Sequence, residues 1–384
     1  MARISLSKTK SLKRGFGARA IAMAVALAAS VPVLAQAPPG APQKPKAPPE
    51  VLSCRPDPSL QRRIDSKVGF CGGDAAYSIP LSNGSTVWLF GDSFRGKIVG
   101  GKRTGCRMER NCVAVDKPRQ AGGKLQYCFG KRDFFICREE DGTNYYWPGD
   151  GIEIDGRLYL FQHTVKTDRQ LPAPFQFKMR DNHIIVVLNP KDSPDKWVQR
   201  VFRLKQSAGI ALLSVACYQE GDYLYMFNSY TGMAIGTVRN PTALSRIKLS
   251  DLAQVNMKEM EWWSGKWVKA RELPEILFED GASEMSVVRI EGLKGLYCFY
   301  IPSDRSAIMV RTAMRPEGPW SPRKEVYKFP KDPELFYYSV KAHPEYKAGP
   351  GKIKLTYNVN SLHLKRLMED DQVYFPKALE VTLK

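Results

Sequence analysis

The sequence predicts an all-β chain folded as a five-bladed β-propeller, and three observations predict it. A unit made of a strand, a Gly-containing turn and an aromatic-aliphatic strand recurs along the chain. Its starts, taken at Asp74, Asp150, Ser214, Glu284 and His343, are separated by 76, 64, 70 and 59 residues, each interval long enough for a four-stranded sheet. Few stretches between them carry a helical period. An irregular β-sandwich is the competing architecture for the same pattern.

In chain order, Arg3, Lys8, Lys10, Lys13, Arg14 and Arg19 precede an apolar run over 20–29, and Ala35-Gln36-Ala37 offers a small-x-small cleavage site. Residues 1–37 are therefore expected to form a secretory signal peptide, the apolar run being far shorter than the roughly 20 residues of a membrane span. Lys13-Arg14 resembles a twin-arginine signal with Lys in the first place. Residues 38–50, PPGAPQKPKAPPE, read as an extended Pro-rich linker, and 51–384 as one large domain with no second linker of that composition. The expected location is secreted or periplasmic, with no stable membrane insertion.

The formal charge of +19 falls to +13 once the six basic residues of the leader are removed. Such a field favours a polysaccharide or oligosaccharide partner of anionic character, or a cell surface. Nucleic acid is not expected, because no Lys/Arg-rich helix or binding module is present. Surface lysines that serve solubility alone are the other reading of the same charge.

Eight cysteines in an exported chain suggest disulfides, and Cys54, Cys71, Cys106, Cys112, Cys128 and Cys137 are the candidates. Four of these fall in a polar, basic stretch over about 95–144, expected to be an insertion that forms a long irregular loop unless bridged. Cys217 and Cys298 lie in apolar strand patterns and read as buried thiols.

The segment from Gly72 to Ser93 reads as a hairpin turning at Ser82-Asn83-Gly84, which sets Asp74 and Asp92 nearly opposite each other. Opposed residues lie roughly 4.5 to 5.5 Å apart at Cβ, close enough for two carboxylates to perturb each other. In a propeller the first strand of each blade lines the central channel. Asp74, Asp150, Glu284 and His343 are then expected at one mouth, with Asp92, His163 and Ser229, from the ends of the second strands, in a second ring. Each has a plainer reading: turn chemistry for Asp92 and Asp150, a satisfied inner-strand histidine for His343. Tyr145, Tyr146 and Trp147 are placed to stack on sugar rings, whereas Trp262 and Trp263 read as blade packing. Arg311 is positioned to steer a carboxylate. No histidine has metal-ligand spacing, no cofactor is required, and a structural calcium or sodium ion in the channel is left open. Nucleophile elbow, P-loop and dinucleotide fingerprints are absent.

These residues give the chain a resemblance to the five-bladed propeller glycoside hydrolases of the family 43 type. It is more similar still to an uncharacterised family of secreted bacterial propellers that includes endo-D-arabinanases. The motifs that carry the likeness are GGD followed by WLFGDS, WPGDG, SEMSV, IMVRTAMRPEGPWSP, and YYSVKAHPEY followed by LTYNVNS. The family 43 likeness implies Asp74 as general base, Asp150 as pKa-tuning residue and Glu284 as general acid. The endo-D-arabinanase likeness implies Asp74 and Asp92 as the acid pair. Both imply hydrolysis of a polysaccharide, furanoside-containing or acidic, with one carboxyl protonated and a second ionised. A non-catalytic glycan-binding propeller is the alternative.

Overall fold

The computed structural model describes residues 47–117, 123–138, 143–171, 176–204, 210–230, 239–269 and 274–384. The expected signal peptide and most of the Pro-rich linker lie outside the described residues. The fold is all-β. Its longest helix among the described residues, Pro58–Ile64, has only seven residues and is capped by Asp57.

Five antiparallel meanders follow one another along the chain. The first comprises Tyr77–Pro80, Thr86–Phe90, Cys112–Asp116 and Gln126–Cys128, and the second Asn144–Ile154, Arg157–Thr167, Phe177–Val187 and Gln199–Leu204. The third starts with Leu212–Glu220, Tyr223–Ser229 and Thr242–Lys248 and carries three further short strands. The fourth comprises Met285–Val288, Leu296–Tyr300, Ala307–Ala313 and Lys324–Lys328. In the fifth, Leu335–Ala342, Lys352–Ser361 and Lys377–Leu383 are completed by the N-terminal strand Val51–Pro56, which pairs with Lys377–Leu383. No local pattern announces that last pairing, because its partners lie at opposite ends of the chain.

Apolar layers fill the space between successive sheets. Ile79, Leu89, Leu160 and Ile185 join the first sheet to the second, and Phe161, Ile184, Leu213 and Met226 join the second to the third. Phe227, Leu244, Met285 and Tyr300 join the third to the fourth, and Phe299, Val310, Val340 and Leu355 the fourth to the fifth. Trp88 and Phe90 of the first sheet pack with Ala378 of the fifth, so the last sheet meets the first. With both faces covered, Thr86–Phe90 is buried at every position, which explains why TVWLF is apolar without alternation.

The expected insertion is not a loop. Ser93–Val99 and Lys102–Glu109 form a hairpin that joins Val68–Gly73 in a separate three-stranded sheet. The stretch after it supplies the outer strands of the first meander. Backbone pairing, rather than sulfur bridges, orders this polar stretch. All eight cysteines are thiols, and the expected disulfides are not formed. Cys71 and Cys106 do share a hydrogen bond, beside Gly96, where a Cβ would lie 2.5 Å from Cys106 Sγ.

The inner strands are kinked at corresponding places. Register shifts fall near Pro148–Gly151, between Leu212 and Ala216, and between Tyr338 and Lys341. Ala75, Ala76, Ser214 and Ser339 have φ between 55° and 67°, a left-handed conformation that non-glycine residues adopt only at a cost. Such kinks re-aim side chains, and here they turn them toward one end of the sheets.

Candidate active site

Asp74, Asp92 and Glu284 meet at this end, and each remains partly exposed. Asp74 Oδ2 lies 2.8 Å from Tyr338 Oη and 3.2 Å from Tyr374 Oη, and among the described residues no cation bonds it. The Tyr374 hydroxyl also lies 2.9 Å from the Asp92 carbonyl. One phenol hydrogen serves one acceptor well. If Tyr374 donates to that carbonyl, a proton on Asp74 completes the remaining contact. Burial, followed by the like charges of Asp92 and Glu284, holds the Asp74 carboxyl well above the usual carboxylate range, and the two tyrosine hydrogen bonds pull the other way. Gly91 makes room for it, since a side chain there would set its Cβ 2.4 Å from Asp74 Oδ1.

Asp92 is held differently. Its Oδ2 accepts from Arg110 Nη1 at 3.0 Å and its Oδ1 from Trp147 Nε1 at 3.0 Å, one N–H donor on each oxygen. Burial raises its pKa, while Arg110 and Trp147 oppose the rise. Glu284 Oε1 lies 2.7 Å from Ser339 Oγ, which is itself 2.9 Å from the Ala75 carbonyl. Burial raises the Glu284 pKa as well, and Lys341, Ser339 and Arg305 offset only part of that rise.

Asp150 sits apart from this trio. Its oxygens accept from the backbone N–H groups of Gly151 at 2.8 Å and Cys217 at 2.7 Å, tying the second sheet to the third. Burial raises its pKa against those bonds and against Lys341.

Lys341 is only 2% exposed. Its Nζ donates to the Met285 carbonyl at 3.0 Å and the Val215 carbonyl at 3.4 Å, and stands 3.4 Å from the centre of the Tyr77 ring. Four inner strands thus converge on one ammonium, and the fifth contributes the nearby charge of Asp150. Burial lowers the Lys341 pKa to about 8, against the pull of Glu284 and Asp150. Carbonyl oxygens and an aromatic face are what a desolvated cation needs when no carboxylate touches it.

Of the residues expected at the mouth, Asp74, Asp92, Glu284 and Trp147 are brought together. His343 is not. The inner strand of the fifth sheet runs over Leu335–Ala342, so the residue matching the kinks of the other strands is Ser339, and His343 follows the strand's far end. There it is fully buried, bonded to Ser78 Oγ at 2.6 Å and Thr356 Oγ1 at 2.8 Å and stacked on Trp88. Burial lowers its pKa to about 3. Tyr146 is core: 1% exposed, its hydroxyl lies 2.7 Å from His183 Nδ1, which rules out sugar stacking. His163 is buried behind Gly149 with Nδ1 3.0 Å from Asn182 Oδ1, its pKa lowered to about 4. Arg311 is taken up by Asp280 at 2.6 Å, Tyr300 and the Ser321 carbonyl, with no bond to the carboxyl trio. Ser229 is buried and paired with Asn240.

Sequence reasoning missed Tyr338, Ser339, Lys341, Tyr374, Arg110 and Arg305. A lysine amid the apolar residues of SVKA was the available signal for the first three, whereas Tyr374 lies in no repeat unit. Among the described residues no three His, Cys, Asp or Glu side chains gather as a metal site, and no helix is long and apolar enough to cross a membrane.

A crystal structure of a "putative hydrolase" from Bacteroides ovatus is similar in fold, with a TM-score of 0.67 at 15% identity over 85% of this chain and 90% of that one. RS223 β-xylosidase (TM-score 0.45, 13% identity, 82% and 92% covered) resembles this chain more distantly. So does a GH43 enzyme from Xanthomonas citri complexed with xylotriose (0.46, 13% identity, 85% and 91% covered). Among curated proteins none matches. The family model described as "Domain of unknown function (DUF5005)" matches residues 57–378, most of the chain, and the protein belongs to that family.

Proposed function

We propose that the protein is a five-bladed β-propeller glycoside hydrolase that cleaves a polysaccharide at the Asp74–Asp92–Glu284 mouth, with Asp74 as proton donor. The observation that carries this reading is the Asp74 environment: a carboxyl without a cation, beside two like charges, in a hydrogen-bond network with a place for its proton. Glycosidic cleavage needs one such protonated carboxyl at the leaving oxygen and an ionised one near the anomeric carbon or its water. Glu284 takes the second role, since Lys341 and Arg305 favour its charge. Asp92, bonded to Arg110 and Trp147, is the fixed anion that holds the Asp74 proton in place. Lys341 supplies the positive charge of the channel axis.

The five successive sheets, with the last packed on the first, support the propeller. The leader over 1–37 supports export, and the substrate in this proposal is an extracellular polysaccharide, furanoside-containing or acidic.

Incubation of the mature protein with plant, algal and bacterial-wall polysaccharides tests the reading. New reducing ends from the wild type that vanish in Asp74→Asn and Glu284→Gln support it. Glycan binding without release, unchanged in both variants, overturns it in favour of a binding module.

A further inference from the structure

The three-stranded sheet of Val68–Gly73, Ser93–Val99 and Lys102–Glu109 stands outside the five meanders, and the proposed chemistry draws on none of its side chains. It does bury a cation. Arg103, on Lys102–Glu109, is only 3% exposed. Its Nε donates to the Cys71 carbonyl at 2.6 Å, and its Nη1 to the Leu367 carbonyl and, at 3.0 Å, to that of Asp370. Its Nη2 donates to the Val373 carbonyl at 2.7 Å and reaches those of Asp371 and Tyr374 at 3.5 Å. Every acceptor is a main-chain carbonyl, and all but that of Cys71 belong to the end of the helix Leu364–Glu369 and the turn after it. Carbonyls at a helix end lack partners within the helix, and a planar guanidinium serves several of them at once.

That turn carries Tyr374, whose hydroxyl lies 3.2 Å from Asp74 Oδ2. Tyr374 has a φ of 59°, a left-handed conformation that a tyrosine keeps only where its surroundings hold it. Arg103 Nη2 faces the carbonyls on both sides of its Cα, those of Val373 and Tyr374. Phe94, from the same sheet, packs on both partners, 5.5 Å from the Arg103 guanidinium and 5.5 Å from the Tyr374 ring between centres. Gly72, two residues before Asp74, leaves the room they need: a Cβ there would run into the Tyr374 carbonyl and lie 2.6 Å from Arg103 Nη2. The titratable groups around Arg103 are Cys71, Cys106, Asp371 and Tyr374, with Lys377 beyond them. Of these the Asp371 carboxylate is engaged by Lys67 at 2.6 Å.

We infer that Arg103 is a positioning residue of the candidate site: it sets Tyr374 against Asp74, and the three-stranded sheet is the buttress that carries it there. The inference rests on the proposed hydrolase reading only for what the Asp74 proton is used for; the placement itself is independent of it. Tyr374 then acts on Asp74 together with the other groups that face this carboxyl, namely Tyr338, Asp92 and Glu284.

Carboxyl carbon-13 NMR titration of the mature protein, labelled at aspartate and with the Asp74 signal identified by its loss in Asp74→Asn, tests it. Tyr374→Phe should raise the Asp74 midpoint by about half a pH unit or more, because a hydrogen bond that lowers it is gone. Arg103→Lys keeps the charge but not the fork, and should raise the midpoint by the same amount. The double variant should move no further than Tyr374→Phe alone. Hydrogen exchange should quicken over 361–374 in Arg103→Lys and stay as in the wild type across the five sheets. Lys67→Ala, which releases the Asp371 carboxylate from outside, should leave the Asp74 midpoint in place. An unmoved midpoint in Tyr374→Phe or in Arg103→Lys, shifts that add in the double variant, or an equal shift in Lys67→Ala overturns the inference. Global unfolding of Arg103→Lys assigns the arginine to the fold as a whole and overturns it too. Reducing ends measured on the same proteins separate the two readings. Midpoints that move as expected in a protein that releases none leave the placement and remove the hydrolase, whereas release with an unmoved Arg103→Lys midpoint does the reverse.

Discussion

Two aspartates at opposite ends of the chemistry are instructive side by side. Asp280 receives Arg311 at 2.6 Å, Arg323 at 3.0 Å and Tyr300 at 3.1 Å, so its charge is answered twice over. Asp74 receives two phenols and no cation, and faces two further carboxyls. A fold that needs an anion for rigidity surrounds it with cations, as at Asp280. A fold that buries a carboxyl among like charges carries a standing cost, and the proposed role of Asp74 as proton donor is a function that would offset it.

The sharpest break between the two is their exchange for amides. Asp74→Asn should lower reducing-end release by about 10²–10⁴-fold, the usual contribution of a general acid. It should leave the melting midpoint equal or higher, because a strained carboxyl is removed. Asp280→Asn should do the opposite, leaving release unchanged and lowering stability by about 1–2 kcal/mol, a figure discounted for the partial exposure of Asp280 and Arg323. Activity assays and thermal melts on both variants check this. Loss of activity in Asp280→Asn with none in Asp74→Asn would invert the assignment.

Glu345 extends the comparison to a third carboxyl, buried near the far end of the inner strands beside His343, which lies 3.9 Å away and is held neutral by burial. Burial raises the Glu345 pKa from 4.5 to about 7. A carboxyl raised in the folded state contributes stability that is fully present below its unfolded pKa and is lost as pH rises through the folded one. The Glu345 contribution should therefore fall between pH 4.5 and about 7, by on the order of 3 kcal/mol, against the opposite slope that the lowered His163 and His343 impose. Glu345→Gln should flatten that slope in denaturant titrations at a series of pH values. A slope unchanged in the variant would show that the loss belongs to other groups.

Lys341 tests whether the axial charge matters to the mouth. Because it pulls the Glu284 pKa down, Lys341→Met should let Glu284 rise and move the acid limb of the activity profile to higher pH, leaving the alkaline limb in place. The lysine itself is lowered from 10.5 to about 8 in the fold. Its contribution to stability is present above pH 10.5 and is lost as pH falls through about 8, so the stability of the wild type relative to the variant should rise across that window. An acid limb that stays where it was would separate Lys341 from Glu284.

Much of this arrangement was legible before any coordinates. Strand–turn–strand units with their Asp and Glu starts depend on local periodicity, and that is why Asp74, Asp150 and Glu284 could be aligned from sequence alone. His343 was misplaced because Lys341 interrupts the apolar pattern and shifts the apparent strand start by four residues from Ser339. The outer strands of the first sheet were hidden in a basic, Cys-rich stretch whose composition resembles a loop. Tyr374 and the strand over Val51–Pro56 carry no local signal at all. They reach the site and the fifth sheet through pairings across almost the whole chain, which spacing cannot encode.

The smallest effect concerns the hydrogen bond that partly offsets the isolation of Asp74. Tyr338 donates to Asp74 Oδ2 at 2.8 Å and is positioned by Asn360 Nδ2 at 3.1 Å. A donor favours the ionised carboxyl, so this bond lowers the Asp74 pKa within its raised range. Tyr338→Phe removes the donor and little volume. The Asp74 proton should then be held to higher pH, and since the acid acts in its protonated form, the alkaline limb of kcat/KM should move up by about half to one pH unit. The acid limb, governed by Glu284, should move less. Profiles of the two proteins over pH 4–10 measure the shift directly. A downward move of the alkaline limb would mean that Tyr338 accepts from Asp74 rather than donates to it, and that the tyrosine, not the carboxyl alone, stores the proton.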